Sequence, residues 1–329
     1  VAPLAHPALA QTAPPASAEA RASAAGYKAL TLCSAVHNAE AAGGERSVAS
    51  VAANEFVGIY PTLDPLIADL GVTVEPWRVS VAWDESVPPR VAVYRPGGGC
   101  SIMPVGWTGS AGVPATAPIQ AGPPVADLPS GPAAGDAAAL AAAVTGAGDG
   151  TYGEGTNTTA VVVLQGGTIV SETYASGFGP DVPQRTWSVA KSLAGTLIGA
   201  AVQRGEVDVD APAAIANWQV DGDPRRAITL DNLMRMASGL TSDTAGNRTD
   251  ALYFGGTTVD EQVPGWPLLA MPGSRYRYAN NDILLAVLSI APTFDAHPPA
   301  ELFARLGMTD TVAETDWRGN YILSSQVWS

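Results

Sequence analysis

Alternation of apolar and polar side chains predicts two strands in the first third of the chain. Val79–Trp83 and Arg90–Tyr94 both alternate, and a Pro-Pro turn separates them. The glycine-rich stretch Gly97–Cys100 that follows predicts a turn placing Cys100 beside a neighbouring strand. This part of the chain therefore contributes β-structure.

A second β-pattern occurs near the middle of the chain. Thr159–Leu164 is a continuous apolar run. A second segment with a strand pattern, Thr168–Tyr174, follows the turn Gln165-Gly166-Gly167. The short glycine turn predicts a hairpin, and the apolar run predicts that its first strand is buried. We take this hairpin as the clear beginning of the main domain.

Helical spacing dominates the region that follows. Leu193, Leu197, Ile198 and Val202 repeat every three to four residues, so we expect a helix from near Ser188 that ends at Gly205. The other predicted helices are Asp136–Val144, Ile228–Met234 with Thr229 as N-cap and Gly239 as its stop, Asp282–Ile290, and Ala300–Leu306. There is no internal repeat.

Changes in composition divide the chain into four parts. Residues 1–26 form a signal-peptide remnant and flexible lead-in, with Ala8-Leu9-Ala10 fitting a small-x-small cleavage pattern. A disordered Ala/Pro-rich terminus is the alternative. We interpret 27–125 as an accessory N-terminal region, 126–155 as a linker, and 156–329 as the main domain.

Composition narrows the classes of partner. The chain of 329 residues has 47% apolar and 15% charged residues, enough for a substantial core. Its net charge of -14 argues against nucleic acid and anionic membrane surfaces, because both need clustered cations. Outside the remnant, no run of about 18 apolar residues predicts a membrane span.

Cysteine and lysine are both scarce. Cys33 and Cys100 are the only cysteines, and in an exported chain one disulfide is favoured over two buried free thiols. Without a His/Cys cluster they cannot form a structural zinc site. Lys28 and Lys191 are the only lysines, and the other cationic residues are arginines. We therefore expect a lysine within the folded domain to have a specific role.

Ser188 and Lys191 form an S-x-x-K pattern. Positions i and i+3 share one helix face, with Cβ atoms about 5–6 Å apart, so the hydroxyl and the amine can meet. A neutral lysine can accept the serine proton if desolvation lowers its pKa. The main-chain N–H of Ser188, at the start of the helix, can help to hold an oxyanion. Chance occurrence of this short pattern is the alternative.

Tyr278-Ala279-Asn280 is a second candidate group, following the turn Met271–Ser274. A tyrosine and an asparagine two positions apart in an extended segment can point the same way. The phenol can relay protons with Lys191, and the amide can bind a substrate carbonyl. A core tyrosine and a turn asparagine explain the tripeptide without any function.

Together these motifs resemble the class C β-lactamases and their relatives. Thr186–Lys191 looks like the first family motif, and Tyr278–Asn280 is similar to the second. Leu233–Leu240 resembles the segment "LLTHTSGL" between them, and Pro272–Ser274 and Leu306–Met308 follow the family order. The relatives include D,D-carboxypeptidases, D-aminopeptidases, family VIII esterases and 6-aminohexanoate-dimer hydrolases, and the run 314–328 looks most like the last of these.

One family motif is missing. Relatives carry Lys or His followed by Ser/Thr and Gly on a strand beside the nucleophile, and no such triplet follows Asn280. Trp107-Thr108-Gly109 precedes Ser188 and lacks the cation. On the resemblance we expect an incomplete domain that lacks its C-terminal part.

Other chemistries have weaker support. A Ser-His-Asp triad needs a well-placed histidine, and His6, His37 and His297 are poor candidates. Neither a G-x-S-x-G elbow nor a phosphate-binding glycine loop occurs. A cluster of four acidic residues indicates a solvent-exposed loop rather than a Ca²⁺ site. Its members are Asp208, Asp210, Asp221 and Asp223.

The resemblance implies an α+β, β-lactamase/transpeptidase-like fold with a mainly antiparallel sheet flanked by helices. It implies amide or ester cleavage through an acyl-enzyme on Ser188, with Lys191 as base, Tyr278 as proton relay and Asn280 orienting the substrate. We expect no cofactor or metal, a small amide, ester or β-lactam substrate, and a periplasmic or secreted location. The alternatives are a β-lactamase or D,D-peptidase, or a non-catalytic binding protein of this fold.

Overall fold

The computed structural model describes residues 16–109, 126–241 and 249–329. The predicted leader remnant around Ala8–Ala10 lies outside the described residues. So does 110–125, the end of the predicted accessory region.

The chain begins, in its described part, with a long helix. Helix α1 spans Ala18–Ala41, and Ser17 caps it by accepting a hydrogen bond from Ala20 N at 3.1 Å. The prediction of a flexible lead-in up to residue 26 is therefore wrong from Ala18 onward. Alanine is the strongest helix former, and its small side chains let most of α1 pack in the interior.

Lys28 is one of the buried residues of α1. Its Nζ donates hydrogen bonds to the carbonyl oxygens of Ile67 at 2.8 Å and Leu70 at 2.7 Å, at the end of helix α3, Asp64–Asp69. Helix ends leave carbonyls short of intrahelical donors, and Ile67 O accepts only a long hydrogen bond from Leu70 N at 3.4 Å within this segment, so the lysine supplements the weak bonding at the end of α3. Burial lowers the pKa of Lys28.

Helix α1 packs on a four-stranded antiparallel sheet with strand order β1-β2-β3-β4. The strands are β1 (Val72–Glu75), β2 (Arg78–Val81), β3 (Arg90–Arg95) and β4 (Gly99–Ile102). The two predicted strands are β2 and β3, and Cys100 pairs with Tyr94 in the adjacent strand. Helix α2 spans Val48–Asn54.

The predicted disulfide is present. Cys33 of α1 and Cys100 of β4 are bonded, with Cα atoms 6.0 Å apart. That separation lies within the usual range for a disulfide. The bond fixes α1 to the edge strand of the sheet.

The predicted hairpin forms, but its first strand is not buried. Strands β5 (Ala160–Gln165) and β6 (Thr168–Tyr174) pair in antiparallel fashion, with an irregularity at Val163 and Leu164. Val162 and Leu164 are 45% and 50% exposed. Among the described residues the hairpin forms a two-stranded sheet extended only by one bridge, Ser130 to Ile169, which leaves much of its surface open.

The predicted linker contains a regular element. Helix α4 spans Ala137–Gly148, and Asp136 caps it by accepting a hydrogen bond from Ala139 N. The Ala-rich helix expected here therefore exists and continues past Val144.

The remaining elements form the helical part of the molecule. The predicted helices in this region are present within a few residues of their expected bounds. They are α5 (Ala190–Gln203), α6 (Leu230–Met234), α8 (Asn280–Ser289) and α9 (Pro299–Arg305), joined by α7 (Val259–Gln262) and the short pair β7 (Val312–Ala313) and β8 (Val327–Trp328).

A compact apolar cluster joins these helices. It contains side chains of α5, α8 and α9 together with residues of the β7–β8 region. Its buried members are Ala190, Ala194, Leu197, Ile283, Val287, Phe303, Ala313, Leu323 and Val327. Burial on this scale holds α5, and therefore the residues at its beginning, in a fixed position.

Within the described ranges, no helix is both long enough and apolar enough to cross a membrane.

Candidate active site

Ser188 lies in a tight turn at the beginning of α5. Trp187–Val189 form a single 3₁₀ turn, and Trp187 adopts a φ of 47°, which is uncommon for a residue with a side chain. The Arg185 guanidinium lies 3.8 Å from the centre of the Trp187 ring. Thr186 N donates to Val327 O at 2.9 Å, which anchors the turn to β8. The backbone thus presents Ser188 at the surface.

The structure brings Ser188, Lys191 and Tyr278 into direct contact. Lys191 Nζ donates a hydrogen bond to Ser188 Oγ at 3.0 Å. Ser188 Oγ and the Tyr278 hydroxyl share another hydrogen bond at 2.7 Å. Lys191 Nζ also lies 5.2 Å from the centre of the Tyr278 ring. The serine hydroxyl is therefore placed between an amine and a phenol, each within proton-transfer distance.

Tyr278 is held by the segment that follows α6. Arg277 N donates to Met236 O at 2.9 Å, and Ala279 N lies 3.4 Å from Met236 Sδ. Met236 itself has a φ of 53°. A Cβ at Gly239 would overlap the carbonyl of Ala270, so glycine permits the close packing of this segment.

The electrostatics favour proton transfer. Burial lowers the pKa of Lys191, against the opposing hydrogen bond and charge interaction with Tyr278. Burial would raise the pKa of Tyr278, but its hydrogen bonds with Ser188 and Lys191 and the lysine charge outweigh that effect and lower it. The lysine is thus more readily neutral, and the tyrosine more readily ionised, than in water.

Asn280 takes no part in the hydrogen bonds among these three side chains. It is the first residue of α8, it is buried, and its Nδ2 donates to Thr249 Oγ1 at 3.3 Å. Its Oδ1 is buried without a hydrogen-bond partner among the described residues. Among the described residues, the Asn280 amide therefore hydrogen-bonds Thr249 and makes no hydrogen bond with Ser188, Lys191 or Tyr278.

A third contact of Lys191 is absent from the sequence-based list. Lys191 Nζ donates to the main-chain carbonyl of Ser324 at 2.7 Å. Ser324 Oγ shares a 2.7 Å hydrogen bond with the buried Tyr253 hydroxyl. A backbone carbonyl carries no signal in a residue pattern. Only the resemblance of the 314–328 run pointed to this region.

Two of the four acidic residues after α5 pair with arginines. Asp223 pairs with Arg225 at 2.6 Å, and Asp221 with Arg226 at 3.2 Å. Across residues 16–109, 126–241 and 249–329, no group of three or more His, Cys, Asp or Glu side chains could hold a metal ion.

Comparison with known proteins identifies the family. The family model described as Beta-lactamase matches residues 137–317, which is more than half of the chain and includes Ser188, Lys191 and Tyr278. The chain belongs to the β-lactamase family. Its α+β fold is therefore that of β-lactamases and transpeptidases, as the motifs implied, and the match begins within α4, ahead of the expected domain start at 156.

Individual relatives of the β-lactamase family match shorter stretches. A 6-aminohexanoate-dimer hydrolase from Paenarthrobacter ureafaciens is 42% identical over 59 residues, 18% of this chain and 15% of that protein. A solved structure described as a 6-aminohexanoate-dimer hydrolase from Bacillus anthracis is 21% identical, with a TM-score of 0.45 over 52% of this chain and 50% of that one.

D-amino acid amidase from Ochrobactrum anthropi SV3 is also 21% identical, with a TM-score of 0.36 over 52% of this chain and 60% of the amidase. The chain thus spans about half the length of the solved structures it matches.

Proposed function

We propose that this chain carries the active centre of a serine hydrolase that cleaves an amide or ester bond through an acyl-enzyme on Ser188. The observation that carries the proposal is the position of Ser188 Oγ, which is hydrogen-bonded to Lys191 Nζ at 3.0 Å and to the Tyr278 hydroxyl at 2.7 Å. A serine hydroxyl needs a neighbouring base before it becomes a good nucleophile. Here two candidate proton acceptors contact it directly.

In the proposed first step, neutral Lys191 accepts the Ser188 proton while Oγ attacks the substrate carbonyl. The Ser188 main-chain N–H is the candidate donor to the oxyanion. Tyr278, whose hydroxyl contacts Ser188 Oγ, gives its proton to the leaving amine or alcohol as the acyl-enzyme forms, and the protonated Lys191 returns a proton to Tyr278. Water then attacks the ester and gives a proton to neutral Lys191, the bond between Oγ and the acyl carbon breaks as Oγ takes a proton back, and the carboxylic acid leaves.

The choice of amide or ester over β-lactam follows the curated relative. The 42% identity over 59 residues is with a protein named 6-aminohexanoate-dimer hydrolase. Asn280 is proposed to orient the substrate after its side chain leaves Thr249, which requires the first residue of α8 to change conformation. β-Lactam or D,D-peptide cleavage is the second candidate, supported by the family model.

We further propose that the protein is periplasmic or secreted. The Cys33–Cys100 disulfide supports this location, because disulfides persist in oxidising compartments. Residues 27–125 remain proposed as an accessory region, and 156–329 as the hydrolase domain. Cell fractionation, with free-thiol titration of the recovered protein, tests the location.

The function is tested by labelling the full-length protein with a fluorophosphonate and mapping the adduct by mass spectrometry. One adduct on Ser188 is expected, lost together with turnover in Ser188→Ala. An adduct on another serine would remove Ser188 from the mechanism. Ester turnover without nitrocefin turnover favours the amidase or esterase activity, whereas no labelling and no turnover favours a non-catalytic binding protein.

A further inference from the structure

The position of the Lys191 amine depends on a main-chain carbonyl. Nζ donates to Ser324 O at 2.7 Å, a shorter hydrogen bond than the one it makes to Ser188 Oγ. Ser324 lies in a turn whose main-chain hydrogen bond joins Gln326 N to Ile322 O at 3.0 Å. Whatever fixes this turn also fixes the direction in which the lysine points.

We propose that Glu314 is a positioning residue, which holds the Ser324 turn and, through its carbonyl, aims Lys191 at Ser188. This inference rests on the proposed function. Glu314 is 0% exposed, and its side chain accepts a hydrogen bond from Gln326 Nε2 at 2.6 Å. Its main chain holds both ends of the same turn: Ile322 N donates to Glu314 O, and Glu314 N donates to Gln326 O, each at 3.0 Å.

The same carboxylate is anchored on its other side by the N-terminal region. Ser34 Oγ donates to Oε2 at 2.9 Å, and Asn38 Nδ2 donates to Oε1 at 3.2 Å, both from α1. Cys100 N of β4 donates to Oε1 at 2.7 Å. These are the two elements that the disulfide joins. Glu314 therefore connects a covalently fixed helix and strand to the turn that binds Lys191.

The four donors explain why the residue is a glutamate. As oriented, all four partners donate to the carboxylate, whereas an amide would present an NH₂ group to two of them unless the Ser34, Asn38 or Gln326 side chain rotated. Burial raises the pKa of Glu314, and the hydrogen bonds from Gln326, Cys100, Ser34 and Asn38 oppose that rise. Arg95 and Tyr94 on β3 are the ionisable groups whose pKa values respond to its charge.

Space for the carboxylate comes from Gly99. A Cβ at this position would overlap the Glu314 side chain, and Gly99 has a φ of +63°, which glycine adopts at little cost. The glycine next to Cys100 thus admits the carboxylate to the end of β4. The site is shaped for this side chain.

The test compares Glu314→Gln with Glu55→Gln in the full-length protein. Glu55 is a matched control, because its carboxylate also accepts hydrogen bonds from a buried partner, Arg46 Nη2, at 2.9 and 2.8 Å, without contacting the 322–326 turn. We expect Glu314→Gln to lower kcat about ten- to a hundredfold with little change in KM, since a small misplacement of a catalytic group has such an effect. Glu55→Gln should keep kcat.

The pH profile separates positioning from a general loss of stability. A carbonyl acceptor favours the protonated amine, so a displaced Ser324 carbonyl should move the acidic limb of kcat to lower pH in Glu314→Gln. Glu55→Gln should leave that limb unchanged. If both variants change kcat and the limb alike, or neither does, the positioning role is wrong.

Gln326→Leu provides a second route, should Glu314→Gln fail to fold. It removes the side-chain hydrogen bond from Gln326 to the Glu314 carboxylate and keeps the two main-chain hydrogen bonds, and the same loss of kcat and shift of the limb are expected. Unchanged values in a folded Gln326→Leu protein would overturn the proposal. Fluorophosphonate labelling distinguishes failure of this inference from failure of the proposed function. An adduct on Ser188, together with unchanged kcat in Glu314→Gln, would exclude only the positioning role of Glu314. An adduct on another serine would exclude the proposed function.

Discussion

In both lysines of this chain burial lowers the pKa of the amine, but the two amines have different partners. Lys28 is buried and donates to two main-chain carbonyls at the end of α3. Lys191 is half-buried and donates to one carbonyl and to the Ser188 hydroxyl. Burial lowers the pKa of both. A buried lysine with a lowered pKa is therefore not in itself evidence of catalysis. What distinguishes Lys191 is a partner that can lose a proton.

The largest expected effect separates the two lysines by activity. Lys191→Arg should lower kcat/KM about a thousandfold, because a guanidinium stays protonated and cannot accept the serine proton. Lys28→Arg, which makes the same chemical change, should keep the turnover of the folded protein. Steady-state kinetics with a chromogenic ester provides the measurement. Near-normal turnover in Lys191→Arg would exclude the lysine as base.

The next effect separates them by stability. Lys28→Met should lower the free energy of unfolding by about 2 to 3 kcal/mol, because Leu70 O loses the lysine donor and Ile67 O keeps only the long hydrogen bond from Leu70 N at 3.4 Å. Urea unfolding followed by circular dichroism measures this loss. Lys191→Met should cost less, since only one main-chain carbonyl loses its donor. An equal or larger loss in Lys191→Met would indicate that Lys191 is mainly structural.

The third comparison of the two lysines is the pH dependence of the rate. A folded-state pKa of Lys191 below its ordinary value of 10.5 means that the neutral amine becomes available at lower pH than in water. The value of kcat/KM should therefore rise about tenfold per pH unit below that pKa and level off above it. Lys28→Arg should show the same limb. A flat profile from about pH 5 to 9 would contradict a titrating base.

Local patterns predicted much of this structure. Period-two and helical spacing located β2, β3, the β5–β6 hairpin, α5 and α8 within a few residues, and the S-x-x-K spacing placed Lys191 against Ser188. Helix α1 was missed because its own residues are rich in alanine and are buried at every position from Ala24 to Ala39. It therefore has no amphipathic period in its sequence. The openness of β5 was missed because a strand's apolar content does not reveal what covers it.

The contacts around Ser324 had no local signal at all. Glu314 meets Ser34 across 280 positions and Asn38 across 276, and such pairings follow from the complete fold rather than from any window of sequence. Asn280 shows the same limit, because its place beside Thr249 depends on how α8 packs.

The scarcity of lysine has a practical consequence for handling this protein. Amine-directed cross-linkers and coupling resins find only two lysine side chains, and Lys28 is buried with its amine held by two carbonyls. The half-buried Lys191, with its lowered pKa, is then the more reactive lysine amine. Immobilisation through lysine amines would therefore modify Lys191, whose amine contacts Ser188 Oγ. Coupling through the 31 acidic residues offers many attachment points remote from it.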